Sequence, residues 1–360
     1  MRFAFTDEQL ALRQGAEEVL EGTCTPADIR AIYDSGDVAQ GRSDLRWSAL
    51  NDLGVLSLLA GEDVGGLGFG DVELVGVLES GGAVCLPEAV AIHAGVAVPL
   101  LQSLGAPLAS RLSEIIAGGS AISVGGVDSD LSGPVVRWFD GEAHAERVEG
   151  VSRAAFFLLA SANDDGVLVS FVPREHCVIE RTPSLDITRD LGTVTWTPTP
   201  PTTIASGDDA AVLIDEIASR SAFVAAAELC GVVDAMVTET ALYTKDRQQF
   251  GSPIGSFQSI KHLVANVRVG LEFARPAVYR AAWSFATQDD RRHHDAALAK
   301  ALASELGLLA ASTCLQVHGG IGYTWEHDLQ FSLKRCWALA SAHGDAATQR
   351  ARAMVLGLSN

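Results

Sequence analysis

Three constellations in this 360-residue chain carry residue types that could do chemistry. The first is "SAHGDAATQR", Ser341 to Arg350, where His343 stands just before a Gly-Asp pair. An imidazole with an ordinary pKa of about 6.5 is the side chain best suited to take a proton near neutral pH. Asp345 suits the N-cap of a last helix, "AATQRARAMVLGL", so His343 sits at a helix mouth. The second is "RQQFGSPIGSFQSIKH", Arg247 to His262, an arginine at the end of a long helical run, a loop with Gly251, Pro253 and Gly255, then a new helix bearing Gln258. It reads either as a cation offered to an anionic ligand or as a basic side chain at the negative end of a helix dipole, followed by a turn. The third is "QVHGGIGYTWEHD", Gln316 to Asp328, whose Gly-Gly-x-Gly either lets backbone amides approach a pyrophosphate or is simply a turn.

The other reactive side chains read more plainly. His293 and His294, beside Arg291, Arg292 and Asp295, look solvated at a helix start. His318 and His327 have no carboxylate at metal-ligand spacing, so no metal site is expected, and Trp325 reads as a packing residue. Cys24, Cys85, Cys177, Cys230, Cys314 and Cys336 are far apart and read as buried thiols. With 26 basic against 45 acidic side chains, a net charge of -19, nucleic acid and anionic membranes are disfavoured partners. The start "MRFAFTDEQLALRQ" lacks an apolar run with a cleavage site, and no later run offers about eighteen uncharged apolar residues. A soluble, cytoplasmic protein without membrane insertion is expected.

The elements that must position these residues follow from periodicity. Residues 1–120 are helical in pattern: "TDEQLALRQGAEEVLEG" opens on a Thr6/Gln9 capping box, and the glycine-rich turn "GEDVGGLGFG" separates later helices. Residues 121–207 change to short apolar or alternating runs broken by Gly, Asp, Asn and Pro, the texture of a compact antiparallel β domain. Residues 208–360 return to long helical periods, whose three longest runs hold no proline except Pro276, as in an antiparallel helical bundle. The class is α+β, in the order helical domain, β domain, helical bundle.

In that order, the Arg247 and Gln316 stretches resemble the acyl-CoA dehydrogenase family, and "EDVGGLGFG" is similar to its "PE-x-x-GG-x-G" loop. The resemblance covers essentially the whole chain and implies an N-terminal helical domain, a middle antiparallel β domain and a C-terminal four-helix bundle. It also implies FAD held between two subunits, and oxidation of an acyl-CoA thioester across its α and β carbons. Carried over position by position, the ADP half of a neighbour's FAD would be met by Arg247, Phe250, Gln316, Gly319 and Gly320, with Gln258 near the cofactor.

Against the same family the chain departs in two places. The β-domain loop and strand that hold the flavin ring are replaced by "SVGGVDSDLSG" and "EGVSRAAFFLLAS", and only "DITRDLG", Asp186 to Gly192, keeps a distant likeness. The glutamate base of most members falls on His343, seven residues before Arg350, and the alternative site on the first long bundle helix falls on Arg220 and Ser221. Neither carries a carboxylate, so no catalytic residue is expected in this chain. Asp345, as a substitute base, is committed to capping.

The resemblance therefore implies a non-catalytic subunit that completes the FAD site of a catalytic homologue in a heterotetramer, with an electron-acceptor flavoprotein downstream. Such paired subunits resemble enzymes of actinobacterial steroid side-chain degradation, which implies the CoA thioester of a bulky substrate. Two other readings stand beside it: a self-sufficient homo-oligomer with His343 as base, and a flavin-free CoA-ester binding or scaffold protein.

Overall fold

The computed structural model describes residues 5–37, 42–127, 137–139, 141–163 and 166–358. The first part is helical: α1 (Asp7–Thr23), α2 (Pro26–Ser35), α3 (Asp44–Asp52), α4 (Asp71–Ala83), α5 (Val90–Ile92), α6 (Val98–Ser103) and α7 (Ala106–Ala117). The expected capping box is present on α1, where the Gln9 amide donates to Thr6 Oγ1 and the Thr6 amide to Gln9 Oε1 at 2.8 Å. A second box, Thr25 with Asp28, starts α2, with Pro26 where a missing amide costs nothing.

The middle of the chain supplies β1 (Ile122–Gly125), β2 (Arg137–Phe139), β3 (Glu142–Val148), β4 (Phe156–Asn163), β5 (Gly166–Pro173), β6 (Cys177–Arg181), β7 (Gly192–Trp196) and β8 (Thr203–Ser206). They form two four-stranded sheets, ordered β1-β4-β5-β8 and β2-β3-β7-β6. Among the described residues, the pairings within them are antiparallel except β1 with β4, where Ile122 lies opposite Phe156 in parallel. The exception to the expected antiparallel pattern has a topological cause. Between β1 and β4 the chain leaves to build β2 and β3 of the other sheet and returns in its original direction, which a hairpin could not do.

Strand β4 reads as an unbroken apolar run because both of its faces are covered. Leu158 and Ala160 join the core shared with the helices, while Phe157 and Leu159 join a separate core of Ala143, Val148, Val194 and Trp196 between the sheets.

The last part holds α8 (Gly207–Asp246), a hairpin of β9 (Gln248–Gln249) and β10 (Ser252–Pro253), α9 (Gln258–Ala286), α10 (Arg292–His318), α11 (Leu329–Ser341) and α12 (Ala346–Leu358). The last helix expected after Asp345 is α12; it is preceded by α11, also 13 residues long, and residues 342–345 separate the two. Helix α9 runs through Pro276, which lies on the exposed face where water can serve the carbonyl it leaves unbonded. The apolar windows of α8 and of 292–323 are long enough to span a bilayer but are 83% and 61% buried within the fold.

Two devices tie the parts together. Helices α4 and α8 cross at reciprocal glycines: a Cβ on Gly82 would fall 2.1 Å from the Glu228 carbonyl oxygen, and one on Gly231 would fall 1.8 Å from that of Glu79. Buried Arg335 of α11 donates to Asp186 and to Thr188 Oγ1 (2.7 Å) in the β domain and to the Leu86 carbonyl (3.1 Å) of the N-terminal part. Tyr33 of α2 donates to the same Asp186 at 3.1 Å. Burial alone would raise the Asp186 carboxyl, but Arg335 and the Thr188 hydroxyl hold it below its ordinary value. "DITRDLG" thus acts here as a junction between all three layers.

Candidate functional site

His343 lies in the four-residue break between α11 and α12, and its left-handed backbone (φ 55°) is followed by Gly344 at φ 84°. Asp345 does cap α12, accepting from the Thr348 amide at 2.8 Å. The break is held from below by Lys300 of α10, 0% exposed, which donates to the carbonyls of Ala340 (3.2 Å) and Gly344 (3.0 Å) and sits 2.7 Å from Ser304 Oγ. From above, Gln349 donates to the His343 carbonyl at 2.6 Å.

The turn projects His343 into a cavity of about 540 Å³ between the β domain and the bundle. Gly125 and Gly126 at the end of β1, Arg147, Arg189, Ser221 of α8 and Trp337 of α11 share its lining. Arg147 reaches this rim because β3 bulges between Ala145 and Val148, leaving Arg147 itself at φ 57°. Loss of solvent, and then the charges of Arg189, Lys300 and Arg147, push the His343 imidazole down to about 3. At neutral pH it is uncharged and a weak base. Of the two alternative base positions, Ser221 faces the same cavity, whereas Arg220 turns into the core and pairs with Asp71 (2.9 Å) and Glu216 (3.0 Å). Arg350, the reference point for His343, is exposed and pairs with Glu305.

The Arg247 stretch folds as the β9–β10 hairpin, whose two tip residues, Phe250 (φ 52°) and Gly251 (φ 77°), are both left-handed. That is a type I′ turn, and a phenylalanine there is strained. The Phe250 ring is 94% exposed at the tip. Arg247, Phe250, His318, Gly319 and Gly320 border one cavity of about 530 Å³, with Tyr243 and Phe257. Gly319 (φ 62°) ends α10, and nothing lies within 4 Å of where a side chain on Gly319 or Gly320 would be. The structure therefore gathers four of the six sequence-derived positions. Gln258 and Gln316 are exposed on α9 and α10 but lie outside that lining.

Other expectations shift. His293 is not solvated: it is 2.6 Å from Ser219 Oγ and near Asp215 and Glu216, because α8 packs over the start of α10. Trp325 is half-exposed, donates to Asp34 at 3.1 Å and lies under the Lys334 ammonium. Most of "SVGGVDSDLSG", from Asp128 onward, lies outside the described residues. Lys300, Arg147 and Arg189 were not singled out from sequence. For Lys300 a signal existed, a lone cation in the apolar run "AALAKALASELG", whereas Arg147 depends on a bulge that leaves no mark in the sequence.

Known proteins share this architecture along its length. Residues 6–109 match the acyl-CoA dehydrogenase N-terminal domain and residues 213–354 the acyl-CoA dehydrogenase C-terminal domain. The acyl-CoA dehydrogenase IpdE2 of Mycolicibacterium smegmatis is 30% identical over 345 residues, 95% of this chain and 94% of that protein. In fold, the chain is similar to the ChsE4–ChsE5 complex of Mycobacterium tuberculosis (TM-score 0.83, 24% identity, 100% and 99% of the two chains). It is also similar to the steroid acyl-CoA dehydrogenase Tcur3481–Tcur3483 (TM-score 0.84, 22% identity, 98% of each). Matched at both ends and along its whole length, the chain belongs to the acyl-CoA dehydrogenase family.

Proposed function

We propose that this chain is the non-catalytic subunit of a heteromeric FAD-dependent acyl-CoA dehydrogenase, which oxidises a CoA thioester between its α and β carbons. The observation that carries the reading is the pair of positions where relatives keep their base. Positions 221 and 343 face one cavity and hold a serine and an imidazole depressed to about 3. Removing a proton α to a thioester calls for a base whose pKa lies near the working pH. A histidine several units below that pH is a poor acceptor.

The ADP half of the site fits its proposed ligand. The strained, exposed hairpin tip, Arg247 and the unobstructed Gly319–Gly320 backbone offer a cation, an apolar plate and approachable amides around one cavity. Bound FAD would supply the hydride acceptor, and Arg247, Phe250, Gly319 and Gly320 would hold its adenosine and pyrophosphate. The catalytic homologue would contribute the flavin-ring contacts and the glutamate, giving two copies of each chain and fewer FAD molecules than subunits. The likeness to a complex of two named chains and to a steroid enzyme supports a heteromer acting on bulky steroid side-chain thioesters, re-oxidised by an acceptor flavoprotein.

The test is FAD per polypeptide, read by absorbance after denaturation, for the chain alone and co-expressed with a glutamate-bearing homologue. An empty lone chain and about one FAD per pair are expected. One FAD on each lone chain, with dye reduction on adding acyl-CoA, would overturn the assignment and make His343 the first residue to substitute.

A further inference from the structure

The glycine turn that follows α10 brings together three side chains that no spacing in the sequence connects. Glu239 comes from α8, His318 is the last residue of α10, and His327 lies just before α11. One ligand-type atom from each falls within 4.8 Å of the other two. His318 is 4% exposed, its ring stacked on Tyr243 at 4.3 Å and set against His327 at 4.8 Å between centroids.

The hydrogen bonding fixes which nitrogen of His318 is available. Its Nδ1 lies 2.8 Å from the Cys314 carbonyl oxygen, which can only accept, so Nδ1 carries the proton. Nε2 is then a bare lone pair, and among the described residues it has no hydrogen-bond partner although it is fully enclosed. Most buried side-chain nitrogens are hydrogen-bonded, so an enclosed one without a partner calls for an explanation such as a bound ion. A backbone carbonyl on one nitrogen and a free lone pair on the other is the arrangement found in histidines that bind metal.

His327 presents Nδ1 toward Glu239 Oε1 at 3.8 Å, and that nitrogen also accepts an ordinary hydrogen bond, 3.1 Å, from the Leu329 amide at the start of α11. A bound cation would replace that bond. Glu239 is 43% exposed at its side chain, so its carboxylate can rotate to close the set. A tetrahedral ion with ligand bonds of about 2.0–2.2 Å draws its ligand atoms to about 3.3–3.5 Å apart, a contraction that rotation of Glu239 and His327 supplies.

We propose that Glu239, His318 and His327 form a binding site for a divalent cation of the zinc class. Two imidazoles and one carboxylate select such an ion over magnesium or calcium, which take oxygen sets. The ion would staple the turn at 319–328 to α8, one helical turn from Tyr243 and beside Gly319, and would leave one coordination position to water. The site stands on this geometry whether or not the chain contributes to a flavin site.

The experiment uses the full chain, stripped with a chelator, dialysed against Zn2+ alone and passed over a desalting column before metal analysis. About one zinc per chain is expected, together with a rise in Tm on adding Zn2+ that a chelator reverses. Glu239→Gln and His327→Gln, both less buried than His318, should each weaken binding at least about tenfold. Because His318 is buried and its substitution risks misfolding, these two variants carry the test. Well under 0.1 zinc per wild-type chain, or equal binding in wild type and both variants, would overturn the proposal. The second outcome would assign the metal to other surface histidines.

Discussion

His343 shows how far one residue's chemistry depends on its surroundings. The sequence leaves it with an ordinary imidazole's capacity for proton transfer. The structure takes it out of solvent, and then sets it near Arg189, Lys300 and Arg147, so that its basicity falls to about 3. We therefore expect His343→Ala, in the assembled enzyme, to change kcat by less than about twofold. A loss above about a hundredfold, the scale of a missing general base, would restore it as the base. Arg247→Ala should instead lower FAD retention, measured as flavin per pair after gel filtration, while the fold is kept; full retention would speak for the flavin-free reading. Asp186 makes a third case at this scale. Its carboxyl is held below its ordinary 3.8 by Arg335 and Thr188, so the folded state favours the ionised form. That contribution is complete above pH 3.8 and is lost as pH falls through the lower folded value. Arg335→Leu strands the buried carboxylate and should cost about 3–5 kcal/mol, read by urea unfolding.

Among the elements, the break between α11 and α12 and the crossing of α4 with α8 carry the most risk. Lys300 holds the break, and burial, with Arg189 nearby, lowers its pKa from 10.5 to about 7. Between those values the unfolded chain binds more protons than the folded one, so this group makes stability rise with pH from about 7 to 10. A Lys300→Met variant should lack that rise, and the difference between wild-type and variant unfolding free energies across the window measures it. A flat difference would show that the buried amine keeps its proton. At the crossing, Gly231→Ala sets a methyl within 1.8 Å of a backbone oxygen that cannot rotate away. A loss of about 1–3 kcal/mol or more is expected, seen as a lower urea midpoint. These elements were legible from sequence in different degrees. The capping boxes and long apolar periods of α1, α8 and α10 mark themselves locally. The parallel β1–β4 pair does not, since it is set by where the chain goes between distant segments.

For the whole molecule, the order of helical, β and helical parts and the family were readable because they are written in periodicity and in contiguous motifs such as "RQQFG" and "QVHGG". At this scale the prediction is an assembly: co-expression with a glutamate-bearing homologue should give a mass of two plus two chains, and a homotetramer that turns over acyl-CoA alone would refute it. By itself the sequence determined the residue types at the two base positions, the helix caps and the presence of an arginine and glycines at the cofactor-contact segments. Tertiary structure decided the rest. It brought positions 221 and 343 to one cavity, set three cations around His343, left Gln258 and Gln316 off the lining that Arg247 shares with Gly319, and carried Glu239 to His318 and His327. The physical reason is that proton affinity and ligand geometry depend on burial and on neighbours within a few ångströms, and those neighbours come from helices and strands far apart in the chain.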